Sequence, residues 1–218
     1  MVKHCRVFCP DDADELHDAA AKLMGNPRSV VLGFQLLIES YTGLRGGELH
    51  KWGEGDYGKP TQDGNYVKVW REKDQHLVNP YCESNPGLKA TLEAFAEWKR
   101  KVHPQSKKFL PSPRGSGQLS EDALSHALLR ISPRLKKKLT PHGAGRAFFV
   151  LIRRSWGISD EMIAHEIGHT SGGATIKTTY GGIPRNWKTD APKLTWLPVH
   201  RKPAWESLVL PRRLLEKV

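Results

Sequence analysis

HEIGHTSGG, residues 165–173, admits two readings, and each leads to a different protein. Its first five residues, His165 to His169, have the spacing H-E-x-x-H. On a single helix the two histidines would share a face and could bind zinc, with Glu166 as general base. In the other reading Gly168 ends a helix and His169 lies just past it as a single imidazole.

A catalytic zinc needs a third protein ligand. The longer form of the motif would place a histidine at position 175, and that residue is Thr175. The methionine turn of that class is missing too, since Met1, Met24 and Met162 all precede His169. The other large class uses a glutamate twenty or more residues downstream, but there is none between His169 and Glu206. Asp190 and His200 are the nearest substitutes, and neither sits in a helical pattern. The zinc hydrolase remains an alternative without a third ligand.

Working outward, SDEMIAHEIG reads as a helix capped by Ser159, with Ile163 and Ile167 inward and His165 and Glu166 on the wet side. SGGATIKTT, which follows, reads as a glycine-loosened loop leading to Tyr180. TPHGAGRAFFVLIRRSW opens another helix, its apolar residues Phe148, Phe149, Leu151 and Ile152. Earlier helices are expected through ADELHDAAAKLMG, capped by Asp11 or Asp12 and ended by Gly25, and through SVVLGFQLLIESY. In the latter, Val30, Phe34, Leu37, Ile38 and Tyr41 recur at helical spacing. TGLRGGEL, residues 42–49, is a turn into a short helix. YVKVW, REKDQ and HLVNP suggest short antiparallel strands with a tight turn over 72–75. PGLKATLEAFAEWKRKV and SEDALSHALLRIS, the second opened by Ser120, are further helices. The expected fold class is mixed α/β, mainly helical, with a small antiparallel sheet.

Lys and Arg number 34 against 23 Asp and Glu in 218 residues, a net charge of +11. The excess gathers in KRKVHPQSKK (99–108), PRLKKK (133–138), IRR (152–154) and the tail from Arg185 to Lys217. Such clusters suit a polyanion, because each cation docked on a phosphate releases counterions. Three cysteines, Cys5, Cys9 and Cys82, form no repeated C-x-x-C pattern and suit a reducing cytoplasm. No stretch is apolar enough to cross a bilayer, and the N-terminus has no signal-peptide core.

Four stretches occur in order: TGLRGGEL (42–49), TPHGAGRAFF (140–149), IGHTSGGAT (167–175) and KTTYGG (177–182). Together they resemble the catalytic domain of the tyrosine recombinases, the phage integrase family, over about residues 6–180. The chemistry fits these residue types. Opening a phosphodiester with a side-chain nucleophile builds charge on two non-bridging oxygens, and arginine donates paired hydrogen bonds to phosphate without losing its own charge. A lysine or histidine can return a proton to the leaving 5′-hydroxyl. A tyrosine can hold the 3′ end as an ester, which conserves the bond energy without ATP or metal.

The resemblance implies catalytic roles for Arg45, Lys73, His142, Arg146, His169 and Tyr180, with Glu48 buttressing Arg45. Lys68 is the alternative to Lys73. The family has two residues between the histidine and arginine of its H-x-x-R motif. Here Gly143, Ala144 and Gly145 intervene, one residue more, which a flexible Gly-Ala-Gly would absorb. If it does not, the second arginine is lost and the protein is an impaired relative that binds DNA without cutting it. The implied domains are a catalytic domain over 1–180 and a tail over 181–218 for subunit or self docking. Most relatives carry an N-terminal DNA-binding domain, and this chain begins close to the catalytic one. The implied partners are double-stranded DNA and further copies of the chain, as a dimer or tetramer on DNA, with no membrane, no metal and no cofactor. The expected location is cytoplasmic, nucleoid-associated in a prokaryote.

Overall fold

The computed structural model describes residues 10–52, 69–71, 76–78, 86–113, 117–120, 122–132, 144–155, 157–169 and 172–180. Among them are helices α1 (Pro10–Met24), α2 (Val30–Thr42), α3 (Gly46–His50), α4 (Pro86–Val102), α5 (Ala123–Ile131), α6 (Ala144–Ser155), α7 (Asp160–Glu166) and α8 (Gly173–Tyr180). Strands β1 (Val69–Arg71) and β2 (His76–Val78) pair antiparallel, with Trp70 opposite Leu77 and Arg71 opposite His76. The described residues are thus mainly helical. Lys68, Lys73, His142, the three cysteines and the tail over 181–218 lie outside them.

α2 is the centre of the molecule. One apolar stripe was expected of it, yet every residue from Val30 to Thr42 is buried, including Gln35, Glu39, Ser40 and Thr42. A helix buried on all sides has only internal partners to offer its polar side chains. Ser40 Oγ donates to the Leu36 carbonyl at 2.6 Å and Thr42 Oγ1 to that of Ile38 at 2.7 Å. Gln35 Nε2 donates to Glu39 Oε1 at 2.7 Å. Helices α1, α3, α4, α5 and α6 all pack on α2.

α4 runs over the expected residues and buries Leu88, Leu92, Phe95 and Trp98 along one side. Phe95 meets Phe34 and Phe109 at ring separations of 5.2 and 5.0 Å, which joins α2, α4 and the segment after α4. α1 starts at Pro10, ahead of both aspartates expected to cap it, and proline suits the first helical position. α5 starts at Ala123 with Asp122 at its N-cap position, two residues past Ser120.

α6 lies so close to α2 that only glycine fits at position 145. A Cβ there would stand 2.6 Å from the Glu39 carbonyl carbon and 2.7 Å from its oxygen, both rigid backbone. The Gly-Ala-Gly run is therefore no flexible spacer along its length: Ala144 and Gly145 open α6, and Gly145 is a packing residue. Gly145→Ala should push α6 off α2 and destabilise the fold by about 2 kcal/mol or more. Urea denaturation measures this, and an unchanged midpoint would contradict the packing.

Candidate active site

Each residue of Thr42-Gly43-Leu44-Arg45 has a local backbone task. Thr42 Oγ1 donates to the Ile38 carbonyl of α2 and accepts the N–H of Leu44 at 3.2 Å. Gly43 ends α2 in the left-handed region, φ 63°, with its N–H on the Glu39 carbonyl at 2.8 Å. It is also a point of close approach, since a Cβ there would meet Ile167 Cγ2 at 2.8 Å and Phe149 Cδ1 at 3.0 Å. Leu44 is buried. Arg45 then takes an extended conformation and caps α3.

Glu48, in the first turn of α3, reaches back to that cap. Its Oε2 accepts the N–H of Arg45 at 2.8 Å, and its Oε1 accepts Arg45 Nη1 at 3.1 Å. One carboxylate thus fixes both the backbone and the guanidinium of Arg45. The same carboxylate lies 3.8 Å from Arg146 Nη2. Arg146, in the first turn of α6, is 4% exposed. Its Nε donates to the Gly43 carbonyl and its Nη2 to the Ile167 carbonyl, both at 2.9 Å. Two cations 101 positions apart in the sequence share one buried carboxylate. Arg45 is the more open of the two, with 24% of its side chain exposed.

The other half comes from HEIGHTSGG. Ser159 caps α7 by accepting the Met162 N–H, as expected, and Ile163 and Ile167 are fully buried. Past the last turn, Gly168 N–H bonds the His165 carbonyl at 3.2 Å and His169 N–H the Ala164 carbonyl at 2.8 Å. With Gly168 at φ 69°, this is a Schellman ending, in which paired bonds stop the helix at a left-handed glycine. His169 is thereby fixed two residues past Ile167, whose carbonyl holds Arg146.

This geometry separates the two histidines. His165 is exposed on α7, and His169 lies beyond the helix end, so they do not form the helical pair that zinc would need. Glu166 is not simply wet, as expected, but takes a bidentate hold from Arg153 at 2.6 and 2.8 Å. Arg153 and Arg154 likewise leave the roster of phosphate-seeking cations, because Arg154 pairs with Asp160. In the 99–108 cluster Lys99 is buried, while Arg100, Lys101, Lys107 and Lys108 are exposed.

SGGATIKTT is not a mobile loop over its length: residues from Gly173 onward form α8, which ends at Tyr180. Gly172 enters it at φ 67°. Ile176 is fully buried against Phe149, Val150, Ile163, Ala164 and Ile167. Gly173 allows α8 to approach α7, since a Cβ would meet Asp160 Cβ at 3.1 Å and the Glu161 carboxylate closer still. At the far end the Tyr180 ring stands edge-on to His169, centroids 6.2 Å apart and planes at 77°. Arg45, Glu48, Arg146, His169 and Tyr180 therefore form one connected group.

Sequence reasoning missed Glu39. It is buried, and desolvation pushes its carboxyl up to about 8, against a smaller lowering by the Gln35 bond. Two glycines make room for it, Gly46 beside its Oε1 and Gly145 beside its backbone. These precede Glu48 by two residues and Arg146 by one. The available signal was a Gln35–Glu39 pair at i,i+4 within an otherwise apolar helix.

No family model matches the chain, and no curated protein matches its sequence. Solved structures do match. A XerA recombinase superposes with a TM-score of 0.62 at 18% identity, covering 88% of this chain and 64% of that one. A lambda integrase dimer bound to a COC' core site superposes with a TM-score of 0.54 at 18% identity, covering 82% of this chain and 61% of that one. The chain spans less than two thirds of the length of either. No helix among the described residues is long and apolar enough to cross a membrane. The chain that gathers Arg45, Arg146, His169 and Tyr180 has the fold of the tyrosine recombinases, XerA and lambda integrase among them.

Proposed function

We propose that this protein is a site-specific DNA recombinase, an integrase-type strand transferase with a covalent 3′-phosphotyrosine intermediate. The observation that carries the reading is the convergence of two arginines on Glu48, with His169 and Tyr180 alongside. Arg45 and Arg146 donate to the non-bridging oxygens of the scissile phosphate, and His169 adds a hydrogen bond. The Tyr180 hydroxyl passes its proton to water as its oxygen attacks phosphorus. The bond from phosphorus to the 5′-oxygen breaks, and Lys73 protonates that leaving oxygen to give the 5′-hydroxyl, with His142 assisting on the phosphate. Rejoining is the reverse, so neither ATP nor metal enters. The antiparallel pairing of β1 with β2 supports a small sheet, and Lys73 falls between its two strands in sequence, where the family places its lysine. The burial of Ile176 supports cleavage by Tyr180 in its own subunit.

Residues 1–180 are read as the catalytic domain and 181–218 as a docking tail. The partners are duplex DNA and further copies of the chain on it, and the protein acts in the cytoplasm. Integration or excision of a mobile element is the biological role that fits. A nicked duplex bearing the target site, which loses a short product after cleavage, tests the reading. With chelator in excess, a slow-migrating protein–DNA species should appear on a denaturing gel. Binding should weaken steeply with salt, by about tenfold or more between 50 and 200 mM. Binding without a covalent species would favour an impaired relative. Loss of activity to chelator, restored by zinc, would overturn the reading.

A further inference from the structure

Two adjacent arginines of α6 reach the two ends of α7. Arg154 donates Nε to Asp160 Oδ1 at 2.8 Å and Nη2 to Oδ2 at 3.2 Å, at the first residue of α7. Arg153 donates Nε to Glu166 Oε2 at 2.8 Å and Nη2 to Oε1 at 2.6 Å, at its last. A helix of this length spans about 10 Å, and adjacent side chains diverge by about 100° around α6, so neighbours can serve opposite ends.

An ion pair on a surface contributes little. This one is bidentate and largely enclosed, with side chains 11% and 21% exposed, and Arg153 also lies over the Phe149 ring at 5.3 Å. Two parallel bonds to a planar fork fix orientation as well as distance. Glu166 is the residue from which the chain leaves α7. Ile167, whose carbonyl holds Arg146, comes next, followed by the Gly168 turn and His169. A change in how α7 ends would pass directly to the imidazole.

We propose that Glu166, gripped by Arg153, is a positioning residue for His169, an assignment that rests on the phosphate-binding role given to His169 above. The pair sets where α7 stops, and the Schellman turn carries that setting to the imidazole beside Tyr180. The glutamate of the apparent zinc motif thus has a task in strand cleavage and never touches substrate.

The test uses the full chain with three variants: Arg153→Ala, Glu166→Gln and the exchanged pair Arg153→Glu with Glu166→Arg. Hydrogen exchange reads the structural half. The Gly168 and His169 amides should exchange about tenfold faster in both single variants, while amides in the middle of α2 keep their protection. In the exchanged pair their protection should return. Covalent-adduct formation reads the functional half. It should fall about tenfold or more in the single variants at unchanged DNA affinity, and recover in the exchanged pair. Unchanged exchange at Gly168 and His169, or an equal loss of protection in α2, would overturn the assignment. So would a fall in DNA affinity that accounts for all the lost cleavage. If the unaltered protein forms no adduct, the recombinase reading fails, and hydrogen exchange still decides whether the pair sets the position of His169.

Discussion

Arg146→Ala should both loosen the fold and abolish strand cleavage. The guanidinium is buried and holds the Gly43 and Ile167 carbonyls as well as facing Glu48. Removing it leaves two carbonyls without that donor and a buried carboxylate with one cation fewer. Breaking a buried pair from one side costs about 3–5 kcal/mol, because the remaining charge stays desolvated. For a chain of this size that lowers the melting temperature by roughly 10 °C. On the proposed chemistry the variant also loses a donor to the developing phosphate charge, a loss of about 100-fold or more in cleavage rate. Arg146→Lys separates the two effects. It keeps the positive charge but cannot reach both carbonyls in a fork, so it should recover more stability than cleavage. Circular dichroism melting and the adduct assay on both variants measure this. An Arg146→Ala protein that melts with the parent would contradict the buried placement.

Glu39→Gln should stabilise the protein, and the gain should grow with pH. The sign follows from where the proton sits. Below about pH 4.5 the carboxyl is protonated in folded and unfolded chains alike. As pH rises from 4.5 towards 8 the unfolded chain releases the proton and the folded chain keeps it. The folded state therefore loses ground across that window, and the loss is complete above about pH 8. Glutamine has no proton to lose, and its carbonyl can still accept from Gln35. The difference between variant and parent should be near zero at pH 4.5 and approach roughly 5 kcal/mol at pH 8, as an upper bound. Urea denaturation at pH 5, 6.5 and 8 reads the difference directly. Parallel stability curves would show that the Glu39 carboxyl is not desolvated in the folded protein.

The sequence made the local architecture readable wherever a residue's task is set by its near neighbours. T-G-x-R-x-x-E is such a case, because a threonine bond, a left-handed glycine and a glutamate reaching back to a helix cap all act within seven residues. The Ser159 cap and the Gly168 ending are others. The uninformative parts depended on distant partners. Nothing near Glu166 marks it as engaged, because its arginine sits thirteen residues away on another helix. SGGATIKTT has the glycines and threonines of a loop, yet Ile176 finds a buried niche and Gly173 lets the segment lie against α7, so packing outweighs weak helix propensity. The same holds for α2. Its apolar spacing announces a helix, but only the packing of five others around it turns a one-sided stripe into a fully buried element that shelters Glu39. Of the six expected catalytic residues, the structure brings four together, and Lys73 and His142 lie outside the described residues.

The central claim is that Tyr180 becomes covalently joined to DNA. Tryptic cleavage after Lys177 and Arg185 isolates it in the peptide Thr178–Arg185, TTYGGIPR, as the lone tyrosine. Protein incubated with the nicked duplex, then digested with nuclease and trypsin, should yield this peptide with a nucleotide mass attached at Tyr180. Tyr180→Phe should yield none while binding the same DNA. A nucleotide attached to any other residue, or an adduct that survives Tyr180→Phe, would contradict the account.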